Sequence, residues 1–380
     1  MKRISLLATF LITLVAFVGC GGGKQAALSD FTLDVYTPQY ASGFEITASK
    51  QSASTLLTVR NPWQGAVDVQ QQIFLARNNE KAPKEFEGQV VRLPVRHVVC
   101  MSSSHVAMFD ALGEVRRVAG VSGIDYISNT YVNKHKLCGE IRDVGYDTNL
   151  NFEVIVSLQP DVVLIYGVSG ENPTITGKLT ELGIPYIYVG DYVEESPLGK
   201  AEWLVAMAEL CDCTDRGRTL FAGICDRYNA LKTQAAQPTK APRVMLNTPY
   251  RDTWFMPSTR SYMVQLIGDA GGEYIYTNNN STTSVPIDLE EAYKLAHHAD
   301  LWINVGMCNT LNELIAQNPK FAEIPVVRAG RVYNNNQRCT PAGGSDFWES
   351  GIVCPDKVLS DLIHLFRDDN AELYYYKQLQ

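Results

Sequence analysis

After residue 30 apolar and polar residues alternate with a period of two, and the period then changes. "FTLDVY", "GFEITAS", "TLLTVRN" and "AVDVQQQIFLAR" read as strands, the last with Val67, Val69, Ile73 and Leu75 on one alternating face. "NPWQG" before the last of them predicts a hairpin turn, and the polar stretch "NNEKAPKEFEG" closes a β-rich extension over 31–88. From 89 onward, short continuous apolar runs alternate with helix-period segments. "HVVCM" predicts a buried strand, and "SSSHVAMFDALG" a helix opened by serine caps and closed at Gly113. "VRRVAGVSG" is a second strand. "LNFEVIVSLQPDVVLIYG" is a helix stopped before Pro160 and followed by an apolar strand, and "ITGKLTELGIPYIYVG" repeats that unit.

Strand and helix in alternation predict a parallel sheet covered by helices, so 89–199 is expected to form one α/β lobe. A helical stretch over 200–236 follows, with Trp203, Met207 and Leu210 on one stripe and Phe221, Ile224, Tyr228 and Leu231 on another, and Gly217 as the point where it kinks or splits. A second α/β set fills 237–380: strand "RVMLNT", helices "TRSYMVQLIG" and "LEEAYKLAHHA", strand "DLWINVG" and a last helix starting near Pro355. The expected fold class is α/β: two parallel-sheet lobes bridged by a long helix, with an N-terminal β-rich extension.

Ahead of the extension, Lys2 and Arg3 precede "ISLLATFLITLVAFVG", a run that suits a signal peptide over 1–19. It ends in "FVGC", which resembles a bacterial lipoprotein processing box. Cys20 then becomes the lipidated first residue and 20–30 a flexible tether, placing the protein in the bacterial cell envelope, facing the periplasm and anchored to the membrane. Eight further cysteines, an even number in an exported chain, allow disulfides whose pairing the sequence does not give. Net charge of -8 and the lack of a long basic block exclude nucleic acid as the main partner. At 380 residues and 46% hydrophobic composition the chain is large enough for more than one core.

The chain carries no P-loop, no Rossmann glycine fingerprint, no H-E-x-x-H and no G-x-S-x-G, so neither a cofactor nor a resident metal is expected. Two features attract chemistry. His105 stands at an electropositive helix start beyond the strand that carries Cys100. "GGSDFWESG" at 343–351 packs acids around large aromatics and glycines, as either a corner of the core or the wall of a binding site.

The order of these elements, ending in "GGSDFWES" and with "NFEVIVSLQPDVVLI" and "LIGDAGGEYIY" as its most specific parts, resembles the periplasmic substrate-binding proteins of ABC transporters for iron chelates, heme and cobalamin. The resemblance spans about 93–368 and leaves the extension unaccounted for. It implies a non-enzymatic protein that holds a metal chelate (ferric siderophore, heme or corrinoid) between its lobes and delivers it to a permease. Ligand-contacting candidates at strand ends are Ser103, His105 and Tyr126 in the first lobe, and Tyr250, Arg251, Trp254, Asp346 and Trp348 in the second. Arg251, Arg260 and Arg338 are candidates for binding ligand carboxylates. The resemblance also makes Glu153 and Glu273, one per lobe, contacts for permease arginines. A secreted enzyme with a His, Cys and Asp site in the cleft is the alternative.

Overall fold

The computed structural model describes residues 26–146, 149–168, 170–235, 241–251, 253–369 and 371–380. The expected leader, Cys20 and most of the tether lie outside these residues. The alternating lead forms one sheet from β1 (Leu33–Tyr36), β2 (Phe44–Ala48), β3 (Thr55–Arg60), β4 (Gln70–Ala76) and β5 (Gln89–Arg92), in that spatial order. All neighbours are antiparallel except β4 and β5. β5 therefore extends this sheet beyond residue 88.

β4 differs from its alternating pattern because both of its faces are covered. Ile73 and Leu75 face the main core, while Phe74 joins Ala26, Phe31 and Leu56 in a small second one. Val67 lies outside the strand and is exposed. Ala26 is buried in that second core, and the Leu28 N–H donates to the Glu85 carboxylate at 2.7 Å, so ordered packing begins inside the stretch expected to be tether.

The first lobe follows the predicted alternation: β6 (Val98–Cys100), α1 (Ser103–Ala111), β7 (Val118–Val121), α2 (Thr130–Lys136), β8 (Arg142–Asp143), α3 (Phe152–Ser157), β9 (Val162–Ile165), α4 (Pro173–Glu181) and β10 (Tyr186–Tyr188). The strands are parallel, in the order β10-β9-β6-β7-β8. The chain leaves central β6 on one side and returns on the other, which opens a crevice at the carboxyl ends beside β6.

The stretch over 200–236 is two helices, α5 (Pro197–Leu210) and α6 (Thr214–Ala235). The break falls at Asp212, which takes a left-handed φ of 58°, rather than at Gly217. Gly217 is where α6 crosses α5: a Cβ there would lie 2.4 Å from the Ala208 Cβ. Every residue of α5 is buried. Its two glutamates are satisfied by the extension: the Glu202 carboxylate accepts from the Gln39, Tyr40 and Ala41 N–H groups at 2.7–2.8 Å, and Glu209 pairs with Arg77 at 2.8 Å. Just before α5, Glu194 accepts from the Gly43 N–H and from Trp203 Nε1, each at 2.9 Å. The extension is thereby part of the first lobe's core.

α6 reaches the second lobe, where Arg227 pairs with Asp356 at 2.6 Å and the Tyr228 hydroxyl donates to Asp269 at 2.7 Å. That lobe runs through β11 (Arg243–Leu246), β12 (Thr253–Met256), α7 (Tyr262–Asp269), β13 (Glu273–Tyr274), β14 (Val285–Asp288), α8 (Leu289–Ala296), β15 (Leu301–Ile303), α9 (Leu311–Gln317), α10 (Pro325–Arg328), β16 (Val332–Asn334), α11 (Ser350–Val353), α12 (Pro355–Arg367) and β17 (Lys377–Gln378). Its sheet has the order β13-β11-β15-β16-β17, parallel except for β17, while β12 and β14 form a separate antiparallel ribbon. The eight cysteines from Cys100 to Cys354 are all free thiols, so the disulfides that their even number allowed do not form among them.

Candidate ligand-binding cleft

The two lobes meet along a seam at the carboxyl ends of their strands. α1 starts directly beyond β6, capped by Ser102, and its Ser103 hydroxyl donates to the Trp348 carbonyl of the other lobe at 3.4 Å. Beyond β7, Tyr126 approaches Gly344 so closely that a Cβ on the glycine would lie 1.9 Å from the Tyr126 carbonyl oxygen. No larger residue fits there. The Ser128 N–H then donates to the Glu349 carboxylate at 2.6 Å. Beside this seam lies a cavity of about 620 Å³, lined by Asp125, Asn133 and Lys136 from one lobe and Arg338, Cys339 and Asp346 from the other. Its size is that of a small-molecule site.

"GGSDFWESG" is both a corner and a wall. Phe347 is buried edge-on to Tyr375 and Tyr376, which anchors the turn. Asp346 is held by Arg338 at 2.7 Å, and Arg338 also lies 4.5 Å over the Tyr374 ring. Trp348, by contrast, keeps 48% of its surface exposed. Its neighbour Glu349 is buried, and desolvation pushes its carboxyl up to about 8 against the lowering effect of the Ser128 and Asn129 amides.

Of the candidates, Ser103, Tyr126, Asp346 and Trp348 are brought together at the seam. Tyr250 and Arg251 follow β11; both are exposed, with the Arg251 guanidinium 5.3 Å from the tyrosine ring. Arg260 is engaged with Glu195 across the lobes at 2.8 Å, which leaves Arg251 as the one of the three arginines without a carboxylate partner among the described residues.

Two candidates are corrected. Trp254 is fully buried, stacked at 5.3 Å on Trp302, with Nε1 donating to the Leu246 carbonyl. It belongs to β12, where alternation turns Trp254 and Met256 inward and Phe255 outward. His105 is also fully buried. Neither ring nitrogen forms a well-aligned hydrogen bond, and Asp191 stands 4.0 Å from Nε2. Burial pushes the imidazole down to about 4, with Asp191 opposing, and burial raises the Cys100 thiol as well. Neither group is available to a ligand in this arrangement.

Three exposed residues escaped the sequence reading. Tyr146 follows β8, with its ring 6.2 Å from that of Tyr126, Met307 follows β15, and Tyr192 follows β10. Their one common signal is position just past a strand's carboxyl end. Glu153, in the first turn of α3, and Glu273, opening β13, are both exposed.

Residues 98–338 match the periplasmic binding protein family. An uncharacterized lipoprotein of Methanocaldococcus jannaschii is 29% identical over 78% of this chain and 72% of its own length. Among solved structures, a periplasmic heme binding protein from Pseudomonas aeruginosa has a TM-score of 0.58 at 17% identity, covering 75% of this chain and 98% of its own. The periplasmic vitamin B12 binding protein of Vibrio cholerae has a TM-score of 0.51 at 14% identity, over 72% and 98%. These two likenesses speak to the fold: two parallel-sheet lobes facing each other across a cleft. With the family match running from β6 to the residues beyond β16, the chain belongs to the periplasmic binding protein family.

Proposed function

We propose that this protein is the substrate-binding component of an ABC importer, capturing a metal chelate (ferric siderophore, heme or corrinoid) between its lobes and delivering it to a membrane permease. The observation that carries the reading is the interlobe cavity of about 620 Å³; exposed aromatics stand beyond strands in each lobe, Tyr126 and Tyr146 in the first and Tyr250 and Trp348 in the second. Aromatic faces supply contact area to a large planar or chelated ligand, and Arg251, without a carboxylate partner among the described residues, supplies a guanidinium for a ligand carboxylate. Against the alternative of a secreted enzyme, His105 is buried and neutral, and Asp346 is occupied by Arg338.

In this reading Cys20 carries the lipid that holds the protein to the membrane on the periplasmic side, and the exposed Glu153 and Glu273 meet arginines of the permease. Titrating the full-length protein with hemin, cyanocobalamin and ferrioxamine B, followed by absorbance, tests the ligand class. One of the three saturates a single site, and Trp348→Ala weakens that binding by about 1–3 kcal/mol. If none of the three binds saturably, the reading fails.

A further inference from the structure

The extension places one loop at the ligand edge of the first lobe. Residues 61–69, between β3 and β4, lie over the carboxyl ends of β9 and β10: Trp63 forms a parallel bridge with Gly167, its ring packs 5.0 Å from that of Tyr188, and Pro62 sits against Gly190. The approach is close enough to require glycine, since a Cβ on Gly167 would lie 2.6 Å from the Trp63 Cβ. The loop is held internally as well. Asn61 and Val69 exchange hydrogen bonds at 2.9 and 3.0 Å, and the Ala66 N–H donates to the Trp63 carbonyl at 3.1 Å.

On this fixed loop Val67 leaves 76% of its surface in solvent, and Val168, on the loop that Trp63 touches, leaves 40%. The loop stands on the same carboxyl-terminal edge of the sheet as the seam. β9 is the direct neighbour of β6, the Met101 N–H at the end of β6 donates to the Leu164 carbonyl of β9 at 3.0 Å, and Ser103, two residues on, reaches Trp348.

We infer that the 61–69 loop is a specificity wall of the ligand cleft, in which Trp63, Val67 and Val168 meet the hydrocarbon edge of a macrocyclic chelate. The inference rests on the proposed function and narrows it. An apolar wall rewards the alkyl periphery of a tetrapyrrole or corrinoid by removing it from water, whereas the polar shell of a ferric hydroxamate gains nothing there. Because Trp63 and Val67 come from the extension, they are supplied by chain outside the family match, which begins at residue 98, and meet Val168 from within it.

The test uses full-length protein carrying 5-fluorotryptophan at its five tryptophans, with each fluorine resonance assigned by single Trp→Phe variants, and hemin, cyanocobalamin and ferrioxamine B as probes. Hemin or cyanocobalamin is expected to shift the Trp63 and Trp348 signals and to leave those of the buried Trp203, Trp254 and Trp302 in place. Val67→Asp, on an exposed side chain that folding does not need, is expected to raise the Kd for that macrocycle about fivefold to tenfold. If a macrocycle binds and shifts Trp348 while Trp63 stays still and Val67→Asp leaves the Kd unchanged, the wall is wrong and the proposed function stands. Binding of ferrioxamine B alone also overturns the wall without touching the function. No binding of any probe overturns both.

Discussion

Glu349 extends a carboxylate from one lobe into the backbone of the other, and its surroundings work against its charge. Burial, Asp346 and Asp110 all favour the protonated form, and the Ser128 and Asn129 amides compensate only in part, so the group rises from the ordinary glutamate value of 4.5 to about 8. Between those two values the folded protein binds more protons than the unfolded chain. Stability from this group is therefore fully present below pH 4.5 and falls as pH rises towards 8, by up to about 1.4 kcal/mol per pH unit. Glu349→Gln keeps an acceptor for the Ser128 N–H and removes the proton equilibrium. The difference in Tm between pH 5 and pH 8 is expected to shrink in this variant, and an unchanged difference would show that Glu349 does not titrate in that range. At this scale the sequence was partly legible. The unusual "GGSDFWESG" setting drew attention to Trp348 and the family resemblance made it a ligand candidate, and it is half-exposed at the seam, whereas Trp254 was misplaced because "TWFM" is too short to announce its own alternation. Glu349 was read only as a neighbour, since the Ser128 amide that holds it lies 221 residues away in sequence.

Among the elements, α5 shows how far burial can outrun pattern. A helix covered on all sides has no polar face, so periodicity identifies it as a helix and says nothing of its partners. Its glutamates look like solvated charges until Glu202 is seen accepting three backbone N–H groups of the extension. Gly217 is similar: a glycine in a helix suggests a kink, but here it serves the crossing of α6 over α5. Alanine at 217 gains about 1 kcal/mol of helix propensity, while forcing a methyl group against Ala208 costs about 1–3 kcal/mol. Gly217→Ala is expected to lower the denaturation midpoint, and adding Ala208→Gly to restore it. A stabilised single variant would mean that the crossing tolerates a methyl group. The strands β6, β7, β9, β10, β11 and β15, in contrast, were legible, because parallel strands covered on both faces are continuous apolar runs, whereas the short β8, β13, β16 and β17 and the β12–β14 ribbon carry too little pattern to be read.

For the whole molecule, the proposed transport role depends on surfaces well separated in sequence. Glu153 and Glu273 open elements in different lobes, so reversing both charges, Glu153→Arg with Glu273→Arg, is expected to leave chelate affinity and Tm unchanged while abolishing uptake through the matching permease in reconstituted vesicles. Normal uptake by the double variant would return both acids to the solvated surface. The β-rich extension was legible as strands and opaque as to purpose, because what fixes it is carried by Glu194, Glu202 and Glu209 at the far side of the first lobe. Those anchors have a consequence for the order of assembly. The extension is made first, yet Gln39, Tyr40 and Ala41 meet their acceptor only after a further 161–163 residues have emerged. Until then β1 to β4 lack the partner that buries one face of their sheet, and contacts of such long range form slowly. A nascent or exported chain shorter than about 210 residues therefore presents exposed apolar strands, and whatever escorts it across the envelope must shield the N-terminal sheet until α5 arrives.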